Sequence, residues 1–246
     1  MKLTGMILAA GFGTRLQPLT NRLPKALIPF MGKPMIDYAI YKMKDFGIER
    51  IVVNVHHHRE KMIEYLTDND FGAEILISDE KDEHLLTGGG IKKAGKYFSG
   101  ADYILVHNAD IISSVNFNEL VGFHVEKHAD VTLSVRSKDD SRVFCFDDKM
   151  ELTGWKNKAT GEIRKSKENS SPKEFGFNGV YVISSKLLKE FPKENKFSIV
   201  DFLLDYTKTK SVLGFVDKTP YWFDLGSVEK IEKAESYFRK EGIKIE

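Results

Sequence analysis

Leu8-Ala9-Ala10-Gly11-Phe12-Gly13-Thr14-Arg15-Leu16, followed by Gln17-Pro18-Leu19-Thr20 and then by Leu23-Pro24-Lys25-Ala26-Leu27, closes a short apolar run that begins at Leu3. An apolar run of this length ended by glycines reads as a buried strand entering a tight loop. Glycines in such a loop let backbone N–H groups approach phosphate oxygens with no Cβ in the way. Arg15 offers a planar fork for a phosphate, and Lys25 supplies a compact second charge. The plainer alternative is a glycine-rich turn carrying two solvated basic residues, and a G-x-G alone does not exclude it.

Working outward, the first half of the chain alternates apolar runs with amphipathic stretches. Leu3 to Ala9, Arg50 to Val55, Glu74 to Ser78 and Tyr103 to His107 are rich in Ile, Val and Leu, as buried parallel strands are. Between them, Met35 to Phe46 places Ile36, Ile40, Met43 and Phe46 on one helical face, with Gly47 as a stop. His58 to Thr67 and Ile91 to Phe98 are further helix candidates. The second half predicts a helix over 118–127, a strand over 131–135, short strands and turns over 143–164 and a surface loop over 165–173. A strand over 177–183, a helix over 198–207 and a strand over 212–216 follow. A last helix over 227–239 has Ser227 as its cap, with Glu229 and Lys230 in its first turn. Strand and helix in alternation is the signature of an α/β fold with a doubly wound, mostly parallel sheet. With no repeat, linker or low-complexity segment, residues 1–246 read as one domain.

Composition narrows the function classes. The 246 residues carry 37 Lys plus Arg against 36 Asp plus Glu, a net charge of +1, which disfavours nucleic acid and polybasic membrane partners. The single cysteine, Cys145, forms no internal disulfide and no thiolate zinc site, so a reducing cytoplasm is the default expectation. No run reaches the roughly 20 apolar residues of a membrane span. The start of the chain faintly imitates a signal peptide but runs directly into the glycine loop, so it reads as a strand.

Two other phosphate motifs come close and fail. A dinucleotide fingerprint needs a third glycine where Leu16 stands, and no acidic residue ends the second strand. Gly90-Ile91-Lys92-Lys93-Ala94-Gly95-Lys96-Tyr97 has P-loop spacing, but Tyr97 lacks the compact hydroxyl that holds magnesium. Downstream, Leu85-Leu86-Thr87-Gly88-Gly89-Gly90 reads as a helix entry whose glycines let a flat base or ribose lie against backbone. Asp110 follows the strand Tyr103-Ile104-Leu105-Val106 and the pair His107-Asn108, at the strand end where α/β sheets bind ligands. Asp224 repeats that arrangement after Tyr221-Trp222-Phe223. Either aspartate alone is as well explained as a helix cap or turn residue.

The run from Leu8 to Leu27 resembles the signature of the sugar-1-phosphate nucleotidyltransferases, the nucleoside-diphosphate-sugar pyrophosphorylases. The likeness continues in order through Leu86-Thr87-Gly88-Gly89-Gly90-Ile91, Asn108-Ala109-Asp110, Phe177-Asn178-Gly179 and Trp222-Phe223-Asp224-Leu225-Gly226-Ser227, covering most of the chain. The resemblance implies a Rossmann-like three-layer α/β/α fold with a mixed, mostly parallel sheet. Residues 1–115 would mainly bind nucleotide and 116–246 mainly the sugar phosphate. It implies Mg2+ as cofactor, held by Asp110 and Asp224, and transfer from a nucleoside triphosphate to a sugar 1-phosphate with release of pyrophosphate. Arg15, Lys25 and Asp110 carry the catalytic roles. Ala10, Gly11, Gly13, Thr14, Arg15, Lys25, Glu80, Thr87, Gly88, Gly89 and Asn108 are assigned to the nucleotide. Asn178, Gly179, Lys156 and Glu174 are assigned to the sugar.

There are departures from the family pattern. Ala109 stands where the family usually has glycine, and the acid of a Glu-Lys pair is replaced by Trp155 before Lys156. The Leu-Thr-Gly-Gly-Gly-Ile run and the short chain resemble the N-acetylmuramate-1-phosphate uridylyltransferases, which makes UTP the first expectation. GTP with mannose or heptose 1-phosphate is the alternative, and CTP with a choline-like phosphate is a third. The sequence leaves oligomeric state open. A non-catalytic sugar-nucleotide sensor and a dinucleotide-dependent oxidoreductase are the competing classes. Retention of Arg15, Lys25, Asp110 and Asp224 argues against the first, and the missing third glycine against the second. His56, His57, His58, His124 and His128 read as solvated or packing residues, and Cys145 as a core residue. Trp155 reads equally as a sugar platform or a core plug.

Overall fold

A computed structural model describes residues 1–138 and 140–243. Its centre is β1 (Leu3–Leu8), the apolar run that precedes the glycine loop. The two-residue strands β2 (Pro29–Phe30) and β3 (Lys33–Pro34) pair as a small hairpin after the loop. Strands β4 (Arg50–Val55) and β5 (Glu74–Asp79) lie parallel on one side of β1, and β6 (Tyr103–Asn108) lies parallel on the other. The short β7 (Ile111–Ser113) leaves the main sheet directly after β6.

The rest of the sheet is mixed. The strand β8 (Val131–Arg136), the β9–β10–β11 meander (Arg142–Phe146, Leu152–Asn157, Glu162–Lys165), β12 (Lys173–Ser184) and β13 (Val212–Val216) complete ten strands. Here β12 runs antiparallel to β6, β8 and β9, and β13 runs parallel to β8. The last strand, β14 (Trp222–Asp224), pairs antiparallel with β7, so that Asp224 lies opposite Ile111.

Helices cover both faces, which makes the three layers. In β1, Ile7 packs on the side that also buries Ile36, Ile40 and Met43 of α1 (Met35–Asp45), Met62 of α2 (Arg59–Asp68) and Leu120 of α4 (Phe117–Glu126). Met6 points the other way, into the core with Ile91 of α3 (Leu86–Ala94) and Leu203 of α5 (Ile199–Tyr206). Strand alternation therefore feeds two cores from one strand. A third core seats α6 (Val228–Glu241) through Ile231, Ala234 and Phe238 against Leu16, Phe30 and Leu225. No helix among the described residues is long and apolar enough to cross a membrane.

Several boundaries differ from expectation, for physical reasons. The helix expected at Ile91 begins at Leu86, because the glycines at 88–90 are packed helix rather than an open turn. The strand expected over 177–183 starts at Lys173, since its first residues, Lys173 to Gly176, pair with β9, and beyond the irregularity between Phe177 and Tyr181 its partner on that side is β6. Ser227 sits at the N-cap of α6 but makes no capping bond. Gly47, with φ 95°, closes α1 as expected, and the Ile48 N–H donates to the Met43 carbonyl at 3.0 Å. Met43 is fully buried against the bare Cα of Gly5. Met43→Ala should cost about 2–5 kcal/mol in urea unfolding; a loss below ~1 kcal/mol would show that α1 does not need this contact.

Candidate active site

The carboxyl ends of β1, β4 and β6 open into a cavity of about 390 Å3. Leu8, Ala9, Ala10 and Gly11 form one wall, and Asn108, Ala109 and Asp110 form another. Lys25, Ala26, Asn54, His84, Leu86, Thr87 and Ser198 complete it. Parallel pairing in register, Leu8 beside both Asn54 and Asn108, brings the three strand ends together.

The loop after β1 is shaped by Gly13, whose φ is 63° and whose missing Cβ leaves room for the Thr20 and Lys25 side chains. The Thr20 hydroxyl donates to the Gly13 carbonyl at 3.0 Å. Thr14, Arg15 and Leu16 then form a single turn that buries Leu16 and leaves Arg15 exposed. Lys25 emerges beyond this turn and makes an ion pair with Asp110.

Asp110 and Asp224 sit at the ends of paired chains, because β7 and β14 form their own two-stranded sheet. The Leu225 N–H donates to the Asp110 carbonyl at 2.8 Å. Lys230, in the first turn of α6, reaches Asp224 at 2.5 Å. The Arg15 guanidinium and the Asp224 carboxylate both close on Gly226, where a Cβ would meet them at 2.6 and 2.7 Å. Burial pushes the Asp224 carboxyl up, but the Lys230 hydrogen bond and the charges of Lys230, Lys25 and Arg15 outweigh it, so the group ionises below the usual carboxylate range.

Of the residues expected to bind nucleotide, Ala10, Gly11, Lys25, Thr87 and Asn108 line the cavity with Asp110. Gly13, Thr14 and Arg15 belong to the adjoining loop. Glu80 is not in the cavity. It is fully buried, its carboxylate accepting from Asn54 Nδ2 at 2.6 Å and from the Leu85 N–H at 2.8 Å. Gly88 and Gly89 also face away from it. Their N–H groups donate to the Phe197 carbonyl at 3.0 and 3.2 Å, and a Cβ on either would collide with the 195–197 segment. Their bareness serves close packing of protein on protein. Thr87 reaches the same segment, its hydroxyl accepting from the Ile199 N–H at 3.0 Å.

On the sugar side, Asn178 is fully buried and donates to Ser134 Oγ and Asp217 Oδ2, both at 3.0 Å, so it reads no exposed hydroxyl. Gly179, with φ 73°, forms the β12 irregularity and lets that strand rest against the Asn108 amide and Ile111. Lys156 and Glu174 lie on β10 and β12 outside the cavity lining and bind each other at 3.0 Å, with Lys158 at 3.2 Å on the same carboxylate. The Lys156 hydrogen bond is the largest influence holding the Glu174 carboxyl below its usual range.

The histidines take packing and backbone roles. His57 and His58 each make a ring contact to the Thr20 carbonyl, and His124 to Thr132. Among the described residues no three His, Cys, Asp or Glu converge as a metal cluster. Cys145 is buried, and desolvation pushes its thiol up. Trp155 packs beside the β8–β12 core with Arg164 over its ring at 5.0 Å.

Sequence reasoning missed Lys230, Lys138, His84 and Asn54. A lysine in the first turn of a helix opposes the helix dipole, and that misfit at Lys230 was a readable sign of a nearby anion. Lys138 stacks on the Trp222 ring at 3.2 Å and donates to the Phe177 carbonyl at 2.9 Å; no local pattern announces it.

The nucleotidyl transferase family profile matches residues 4–241. The chain belongs to that family. It is 27% identical over 227 residues to D-glycero-alpha-D-manno-heptose 1-phosphate guanylyltransferase of Campylobacter jejuni, covering 91% of this chain and 95% of that one. Probable mannose-1-phosphate guanylyltransferase 3 of Oryza sativa subsp. japonica is 34% identical over 191 residues, 74% of this chain. The chain spans half or less of the length of the mannose-1-phosphate guanylyltransferases it matches, 50% in that case and 38% for the Arabidopsis thaliana enzyme 1. Among solved structures, HddC from Yersinia pseudotuberculosis superposes with a TM-score of 0.77 at 26% identity, covering 97% of this chain and 100% of that one. The same protein has been solved complexed with GMP-PN. The three-layer fold agrees with these neighbours.

Two measurements test the site. Glu80→Ala strands two buried donors and should cost about 2–4 kcal/mol of unfolding free energy; an unchanged denaturation curve would refute its bracing role. Lys230→Met should raise the Asp224 pKa, read by carbonyl-carbon NMR titration, and an unmoved titration would show that Lys230 does not hold the carboxylate ionised.

Proposed function

We infer that this protein transfers a nucleotidyl group from a nucleoside triphosphate to a sugar 1-phosphate, with GTP and a mannose- or heptose-type 1-phosphate as the favoured pair. The observation that carries this reading is that Lys25 and Asp110 line the cavity as an ion pair, while Arg15 and Asp224 meet at Gly226 and Asp224 feels the charges of both Lys25 and Arg15. The guanylyltransferase relatives support GTP over the UTP and muramate pair that the glycine run resembles.

The donor set fits Mg2+. Two carboxylates, one directly before β7 and one ending its partner β14, each already facing a lysine ammonium, suit a small divalent cation that takes its remaining ligands from phosphate and water. Bound there, the metal would neutralise phosphate oxygens. The chain's own groups do the rest. Lys25 meets the α-phosphate, and Arg15, which lies beside Gly226, holds the departing pyrophosphate. The acceptor enters from the Gly179 side, and its phosphate oxygen attacks the α-phosphorus in line. A new P–O bond forms as the bond to pyrophosphate breaks. No general base is needed, because the attacking phosphate is already ionised. Residues 1–115 then chiefly serve the nucleotide and 116–246 the acceptor.

Pyrophosphate release from GTP, UTP, CTP and dTTP against mannose, heptose and N-acetylmuramate 1-phosphates tests the assignment. GTP with a manno-configured acceptor should turn over fastest; faster turnover with UTP and the muramate phosphate would reverse the preference. Lys25→Ala and Asp110→Asn should each lower the rate by about 10²–10³, and near-parental activity in either would sink the mechanism.

A further inference from the structure

Left-handed backbone outside glycine is found at Leu86, with φ 63°, in the cavity wall, and at His58, with φ 52°, directly before α2. Such a conformation is disfavoured for residues with a Cβ and persists where its surroundings hold it. At His58 the surroundings are explicit. The His57 and His58 rings lie together, their centroids 4.1 Å apart, and both reach one atom. The Nε2 of each meets the Thr20 carbonyl, at 3.2 Å from His57 and 3.0 Å from His58. A carbonyl oxygen only accepts, so both rings donate an Nε2–H to it.

Thr20 is buried in the loop that carries Arg15, and its hydroxyl donates to the Gly13 carbonyl at the other end of that loop. Backbone hydrogen bonds such as Leu16 to Gly13, Asn21 to Pro18 and Arg22 to Leu19 close single turns within it. Besides the apolar seat of Leu16, the loop is tied from outside by the segment that opens α2. The histidine pair holds Thr20, the Lys61 ammonium donates to the Arg22 carbonyl at 2.7 Å, and the His56 and His57 rings pack on Phe12 at 5.4 and 5.6 Å. Arg15 is itself exposed, so its place over the site is set by the loop beneath it.

We propose that His57 and His58 are positioning residues: as paired donors on the Thr20 carbonyl they hold the loop in the form that presents Arg15 to a polyphosphate. This rests on the nucleotidyltransferase reading, in which Arg15 meets phosphate, and adds what keeps the loop in place before substrate arrives. A loop already ordered loses less freedom on binding, so the pair strengthens polyphosphate binding without touching the ligand.

Calorimetric titration of inorganic tripolyphosphate in a magnesium buffer tests this. The His57→Ala, His58→Ala double variant should lose about tenfold in affinity. The His57→Gln, His58→Gln double variant keeps an N–H at similar reach and should recover most of that loss. With Arg15→Ala already present, adding the two alanines should cost under about twofold more, because the pair acts through Arg15. Nitrogen NMR of the parent in mildly alkaline buffer, which needs no variant to fold, should show both rings as the Nε2–H tautomer. Unchanged affinity in the alanine variant, an equal loss with and without Arg15, or an Nδ1–H tautomer at either ring overturns the role of the pair and leaves the nucleotidyltransferase reading standing. A parent that does not bind tripolyphosphate overturns both.

Discussion

Two buried side chains hold the cavity floor together. Asn54 Oδ1 accepts from the Ala9 N–H at 2.8 Å, Asn54 Nδ2 donates to Glu80, and the other Glu80 oxygen accepts from the Leu85 N–H. This relay joins the ends of β1 and β4, the residue after β5 and the entry to α3, segments far apart in sequence. Each polar atom in it is partnered inside the protein, and leaving one buried donor unpaired would cost about 1–3 kcal/mol. The relay also pins Leu85 directly before Leu86. A left-handed leucine persists only where its surroundings over-determine it, and the fixed Leu85 N–H on one side with the glycine-packed helix on the other supplies that constraint.

Opposite charges meet locally at the site. Arg15, Lys25 and Lys230 face Asp110 and Asp224, and the β7–β14 pairing holds the two carboxylates near each other. On the proposed reading, a polyphosphate arriving with its cation exchanges partners with this set: the carboxylates pass to the cation and the basic groups to phosphate. Both carboxylates keep a cationic partner in the exchange, which matters because an uncompensated partly buried charge is costly. The near-neutral sequence, 37 basic against 36 acidic residues, is thus compatible with a polyanionic substrate.

The sequence made legible whatever follows from periodicity. Apolar runs located β1, β4, β5 and β6, and the Ile36–Ile40–Met43 face located α1. It was less informative where a residue's partner is remote. Glycine declares that something approaches the backbone closely without saying what: at 88 and 89 it is the 195–197 segment, not a base. An acidic residue in a loop gives no sign that it will be fully buried, as Glu80 is. Strands of three residues, such as β7 and β14, are too short to show alternation, yet they bring Asp110 and Asp224 together. The sign of φ at Leu86 has no sequence signature, because leucine is a poor choice for it.

The acceptor side is organised by one connection. The Trp222 indole donates to the Asn178 carbonyl at 2.8 Å, tying the β12 irregularity at Gly179 to β14 two residues before Asp224. Lys138 covers the Trp222 ring and bonds the Phe177 carbonyl, so the same connection is gripped from both sides. Any shift of β12 at Gly179 would therefore be felt at Asp224. The Lys156–Glu174–Lys158 cluster is different. Its members are partly exposed, and ion pairs in that setting contribute little to stability because water screens them. The fold can thus tolerate change on the outer meander, whereas the bulge, the tryptophan and the second carboxylate must be kept together.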